Sequence, residues 1–218
     1  MTKAEQRKRA VKLTLPVFCG YIVLGMGFGV LLADQGYSWV WALLMSATIY
    51  AGSMQYAALD LISGGASLIT CALMTLMINA RHFFYGLSML DKYQDAGKKK
   101  PYLVFALTDE TYSLVCTPAP EGTDATSYYF WVSLLDQIYW IVGSVIGALS
   151  YVALYMLKTY IFQRFVHGYP LDAVVVTMGS KLPASLINAV FAMIVAPILY
   201  AAIAPALRRR GLLEKLRK

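Results

Sequence analysis

Charge is scarce in this chain. Asp, Glu, Lys and Arg make up 14% of it, where a soluble domain carries about 25%. Set against 59% hydrophobic residues, that shortage excludes a water-soluble globular enzyme. It leaves an integral membrane protein with one domain's worth of chain. Histidine is confined to His82 and His167, with no HExxH pairing, and no phosphate-binding loop occurs. No catalytic residue, metal or cofactor is therefore assigned. The cysteines Cys19, Cys71 and Cys116 lie in or at the end of apolar runs without metal-ligand spacing. They read as small buried residues. Short alternating strands are missing too, and long apolar runs at this density do not fit a barrel.

What charge there is comes in groups. The net +7 is no nucleic-acid footprint. Lys3, Arg7, Lys8, Arg9 and Lys12 precede the first apolar run, Lys92, Lys98, Lys99 and Lys100 fill one loop, and Arg208, Arg209, Arg210, Lys215, Arg217 and Lys218 form the tail. Basic clusters beside apolar runs mark cytoplasmic flanks and attract anionic lipid head groups. This predicts a basic cytoplasmic N-terminus over 1–12, one transmembrane domain over 13–207 and a basic cytoplasmic tail over 208–218. The first run is too long and too glycine-rich for a cleavable signal, so it is kept as a membrane helix.

A spanning helix needs about 20 apolar residues. Runs at 13–33, 39–62, 67–90, 102–117, 127–157 and 171–207 meet or approach that length. Gly179-Ser180-Lys181-Leu182-Pro183 divides the last into a short piece and a full span near 184–207. The fold class is all-α: a polytopic membrane protein with about six to seven segments, some interrupted or re-entrant. Three straight crossings from an inside N-terminus would put Lys98–Lys100 outside, against the positive-inside rule. One of the first three runs must then enter and return. Ala51-Gly52-Ser53 and Asn79-Ala80-Arg81-His82 are the two candidate breaks, because non-helical backbone at depth needs protein or a wet cavity around it. With 102–117 crossing out and 127–157 crossing back, Glu121 and Asp124 fall outside, and Lys158 and Arg164 inside. Tyr128, Tyr129 and Trp131 suggest an aromatic belt.

Four stretches carry polar chemistry. In GYIVLGMGFG, Gly25 and Gly29 have the GxxxG spacing of close helix packing, repeated at Gly143 and Gly147. In IYAGSMQYA, Gly52 and Ser53 favour unwinding, Gln55 offers donors and an acceptor, and a half-helix N-terminus there would hold a carboxylate. In INARHFFYG, Asn79, Arg81 and His82 sit amid apolar residues. An arginine at that depth costs roughly 2.5–3.5 kcal/mol on insertion scales, so it is paired or faces water. His82 adds a side-chain type that can titrate near neutral pH. In ALTDETYS, neighbouring Asp109 and Glu110 point about 100° apart on a helix. One is expected to pair with Arg81, and the other to carry protons or meet a substrate amine. Asp136 and Gln137 are further candidates for the same cavity. Lys181 and Asn188, flanking Pro183, are assigned no role. An intramembrane hydrolase built on Ser53 and His82 is the remote alternative.

Together GYIVLGMGFGVL, MSATIYAGSMQYAAL, TLMINARHFFYGLSML and FALTDETYSL, in this order, resemble the AzlC-type branched-chain amino-acid permeases over about 13–148. The resemblance implies the large subunit of a two-component bacterial inner-membrane exporter, working with a small AzlD-type membrane partner on branched-chain or similar amino acids. The matching positions are Gly52, Ser53 and Gln55; Asn79, Arg81 and His82; and Thr108, Asp109 and Glu110. From about Ser150 to 207 the family sequence is not evident. KLPASLINAVFAMIVAPILYAAIAPALRRRGL is instead similar to the end of an S component of an energy-coupling-factor uptake transporter. The alternative it implies is a membrane-embedded binding subunit. Gly52, Ser53, Gln55, Asn79 and Arg81 are thus the expected substrate contacts. His82, Asp109 and Glu110 are the expected coupling or ion-pair residues.

Overall fold

The structure is a computed structural model and describes residues 2–180. The predicted span near 184–207, the basic tail, Lys181, Asn188 and the S-component-like stretch lie outside the described residues. Helix α1 runs Lys3–Asp34, α2 Trp39–Thr48, α3 Gly52–Ser63 and α4 Leu68–Ser88. A tight 3-10 turn, Gln94–Lys99, leads into α5 (Lys100–Phe105), α6 (Asp109–Val115) and α7 (Ala125–Ile161). A π turn and α8 (Leu171–Ser180) follow. Among the described residues there is no strand, and α1, α4 and α7 are long and apolar enough to cross a membrane. The chain is an all-α membrane protein.

Helices α1 and α7 form the spine, and they run in the same direction. The Arg7 guanidinium over the Trp131 ring, Thr14 to Tyr139, Tyr21 to Trp140, and Asp34 to Tyr151 are successive contacts along both helices. Glycine makes this approach possible. A Cβ at Gly25 would lie 2.9 Å from the Ser144 nitrogen, and one at Gly143 2.8 Å from the Ile22 carbonyl. At Gly29 and Gly147 the facing backbone is closer still, against Ser144 and Met26. The GxxxG spacings therefore mark backbone-to-backbone packing of α1 on α7.

Two half-length hairpins fill the space beside this spine. Helix α2 enters from the Asp34 end, with Ser46 bonded to Ser144 and the Ala47 carbonyl to Gln137. The chain reverses at Ile49–Ala51, where Tyr50 adopts φ 45°, the positive-φ non-glycine position among the described residues. Helix α3 then returns: Gly52 touches Trp140, the Tyr56 hydroxyl donates to Leu24, and Leu59 joins the core with Phe28 and Leu32. At 1.5 Å per residue, α2 and α3 are about 15 and 18 Å long, half of a ~30 Å hydrocarbon core. The break predicted at Ala51-Gly52-Ser53 is the tip of this re-entrant hairpin. Asn79–His82 is not a second break, because α4 runs unbroken across it.

A second hairpin enters from the other end, and here the sequence reading needs correction. The run 102–117 does not cross. Lys99 bonds Ser127 near the start of α7, Tyr102 reaches Gln137, and Phe105 meets Tyr50 at depth. After a break at Ala106–Thr108, α6 turns back, so that Val115 packs with Tyr93, Tyr128 and Tyr129 near Ala10. A hairpin adds no net crossing. Glu121 and Asp124 therefore share an end with the basic N-terminus and the 92–100 lysines, while Lys158 and Arg164 lie at the opposite end. Ser127 hydrogen bonds, aided by nearby Lys99, hold the Asp124 carboxyl below its usual range.

Two smaller expectations also change. Tyr128 and Tyr129 are buried in the core rather than forming a belt, because α7 begins against α6 and not against lipid. Cys19 and Cys116 are exposed rather than buried, since an apolar residue of a spanning bundle faces outward as readily as inward.

Candidate functional site

The tips of the two hairpins meet halfway along the spine, and a cavity of about 190 Å³ lies beside them. Tyr21 and Leu24 of α1, Tyr50–Ser53 and Tyr56 of the first hairpin, Arg81 and His82 of α4, Thr108–Glu110 of the second hairpin and Trp140 of α7 line it. The volume is far below that of drug-sized pockets and suits a small solute.

Arg81 joins three elements. Its guanidinium donates to Ser53 Oγ at 3.0 Å and forms an ion pair with Asp109. Only one of the two neighbouring acids pairs with Arg81. Asp109 faces Arg81, while Glu110 is turned away and accepts from the Tyr21 hydroxyl at 2.7 Å. Thr108 caps α6 by accepting from the Thr111 amide, which fixes both acids in the first turn. Gly52 opens α3 with room for the Trp140 indole, which an added Cβ would meet at 2.9 Å. The N-terminus of α3, the positive end of that helix dipole, lines the cavity at Gly52 and Ser53. His82 completes the wall, its ring 6.2 Å from that of Tyr85.

Of the predicted residues, Gly52, Ser53, Arg81, His82, Asp109 and Glu110 are brought together, and Gln55 and Asn79 are not. Gln55 is fully buried behind the cavity. It accepts from Trp140 Nε1 at 2.8 Å and donates to Ser46 at 3.2 Å. Asn79 lies on α4 outside the lining, with its Oδ1 shielded from solvent. Asp136 and Gln137 sit deeper: Thr111 donates to Asp136, Tyr102 donates to Gln137, and neither acceptor reaches the cavity. Sequence reasoning missed the aromatic walls, Tyr21, Tyr50, Tyr56 and Trp140. Tyrosines in otherwise apolar runs were the available signal, since a buried Tyr hydroxyl needs a partner.

Three crossing helices with two opposed re-entrant hairpins and a charged cavity at the hairpin tips define a polytopic membrane protein with discontinuous helices. The chain belongs to the AzlC family, whose description "AzlC protein" matches residues 16–154. It is 46% identical over 143 residues to a Helicobacter pylori (strain J99) membrane protein, covering 65% of this chain and 63% of that one. To the "branched-chain amino acid transport protein AzlC" of Bacillus subtilis it is 40% identical over 148 residues, covering 66% and 58%. To the "inner membrane protein YgaZ" of Escherichia coli it is 29% identical over 177 residues, covering 79% and 67%. The matches to the first two span about three-fifths of those relatives' length. No solved structure matches the chain.

Proposed function

We propose that this chain is a permease subunit that exports branched-chain or similar small apolar amino acids across a bacterial inner membrane, driven by an ion gradient. The observation that carries this reading is the composition of the cavity. A zwitterion needs a cationic and an anionic site a few ångströms apart, and an aliphatic amino acid also needs an apolar wall. Arg81 and the first amides of α3 serve the carboxylate, Glu110 or Asp109 serves the ammonium, and Leu24, Ala51 and Trp140 supply the wall. In this reading Gly52, Ser53 and Arg81 contact substrate, and His82, Asp109 and Glu110 bind protons or hold the ion pair. Family membership and the similarity to a Bacillus subtilis protein named for branched-chain amino acid transport support transport in a membrane rather than catalysis.

The permease works with a small AzlD-type membrane subunit and places its basic end in the cytoplasm. Discrimination between aliphatics of similar size is modest, because one methylene in an apolar pocket is worth only about 1–3 kcal/mol. The test is efflux of labelled leucine, valine, isoleucine and methionine from cells lacking other exporters, with this chain expressed alone or together with the small subunit. Efflux is expected only with both. Absence of efflux from correctly inserted protein in both cases rejects the reading.

A further inference from the structure

Glu110 and Asp136 are joined by an unbroken line of hydroxyl groups. The Tyr21 hydroxyl lies 2.7 Å from Glu110 Oε2 and 2.7 Å from Thr108 Oγ1. Thr108 Oγ1 is 3.1 Å from Thr111 Oγ1, which is 2.9 Å from Asp136 Oδ2. The line starts at the cavity wall and ends at a carboxyl group with no solvent exposure. It crosses from α1 to α6 to α7, through the tip of the second hairpin.

Hydrogen counting makes this line unusual. It holds five oxygens in four contacts, but Tyr21, Thr108 and Thr111 supply only three hydroxyl hydrogens. With both carboxyls ionised, one contact has two oxygens and no hydrogen between them. A single added proton removes the defect in either of two ways. On Glu110, every hydroxyl points its hydrogen toward Asp136. On Asp136, every hydroxyl points toward Glu110. The two arrangements interconvert when each hydroxyl passes its hydrogen on as it receives the next. One O–H bond breaks and one forms at each hydroxyl oxygen, and the net result is one proton moved between carboxyls.

The surroundings require the same proton. Among the described residues no Lys, Arg or His pairs with Asp136, and its Oδ1 is buried without a hydrogen-bond partner. Tyr50 from the first hairpin, Tyr102 from α5 and Glu110 from α6 are the ionisable groups that face it. None of them is a cation. An unpaired buried carboxylate is strongly disfavoured. Glu110, by contrast, lines the cavity that also holds the Arg81 guanidinium.

We infer that Glu110 and Asp136 share one proton through Tyr21, Thr108 and Thr111, and that Asp136 is the buried proton-binding site of the carrier. A substrate ammonium settling on Glu110 drives the proton to Asp136, and its departure lets the proton return. This coupling role rests on the permease reading above; the shared proton does not.

The test is infrared spectroscopy of the purified full chain in lipid vesicles near neutral pH, reading the carbonyl stretch of a protonated carboxyl group. Wild type shows one such band. Asp136→Asn loses it, because the amide N–H supplies the missing hydrogen, whereas Glu110→Gln shifts it, because the buried, unpaired Asp136 keeps the proton and its line now ends on an amide. A band absent from wild type, surviving in Asp136→Asn, or unshifted in Glu110→Gln overturns the shared proton. Should Asp136→Asn not fold, the band shift in Glu110→Gln, which alters a cavity-facing side chain, carries the test. Coupling is read separately. Efflux that stays constant across the pH interval in which the band titrates overturns the coupling role and leaves the shared proton in place.

Discussion

Arg81 is the residue on which the site's geometry converges. It holds Ser53 of the first hairpin and Asp109 of the second at once, so its removal uncouples the two tips as well as removing a cation. A charge-assisted hydrogen bond is worth roughly 1.5–3 kcal/mol. Arg81→Gln is therefore expected to lower the efflux rate by about tenfold or more in a transport assay, with expression unchanged. Arg81→Lys keeps the charge but loses the fork that reaches both partners, and it is expected to restore little of the rate. Gln55 behaves oppositely. From behind the cavity it ties the lining Trp140 to Ser46, and Ser46 in turn to Ser144, without itself reaching the cavity. Gln55→Ala leaves a buried indole N–H unsatisfied, costing about 1–3 kcal/mol. It should lower the melting temperature while the KM for substrate stays near wild type. A tenfold change in KM with unchanged melting would instead place Gln55 in the site.

At the scale of elements, glycine decides which helices meet. Nothing lies within 4 Å of a Cβ added at Gly20, whereas Gly29 and Gly147 face backbone that cannot move aside. Gly29→Val or Gly147→Val should cost more than about 3 kcal/mol, beyond ordinary overpacking. Gly20→Ala should be neutral or gain up to about 1 kcal/mol from helix propensity. Thermal unfolding in detergent reads both, and equal melting of Gly20→Ala and Gly29→Val would remove the spine argument. These contacts were legible in the sequence because GxxxG has a direct steric meaning. The first hairpin was legible too, from Gly52-Ser53 inside an apolar run and from the lysine loop that demanded a return. The second was not read, although Thr108 before Asp109-Glu110 is a helix-start signal in the middle of the run 102–117. A span can be deduced from apolar length. A return of two short helices looks the same until the cap at its turning point is noticed.

The direction of α7 belongs to the whole molecule, because no local feature of that helix sets it. Charge counting placed Glu121 and Asp124 opposite the N-terminus by letting 102–117 cross. The contacts from Arg7–Trp131 to Asp34–Tyr151 make α1 and α7 parallel. The lysine loop stays at the basic end in either arrangement, and Lys158 and Arg164 are too few to override packing, so the positive-inside bias alone does not choose between them. Side-specific labelling does. In a chain with Cys19, Cys71 and Cys116 replaced by alanine, Lys98→Cys and Asp124→Cys should react with a membrane-impermeant thiol reagent from the same side as the N-terminus. Ala66→Cys and Arg164→Cys should react from the other side. If Asp124→Cys reacts together with Ala66→Cys, then 102–117 crosses and α7 runs against α1. The hydroxyl line from Tyr21 to Asp136 would then fall too, because it exists only where the second hairpin turns back between those two helices.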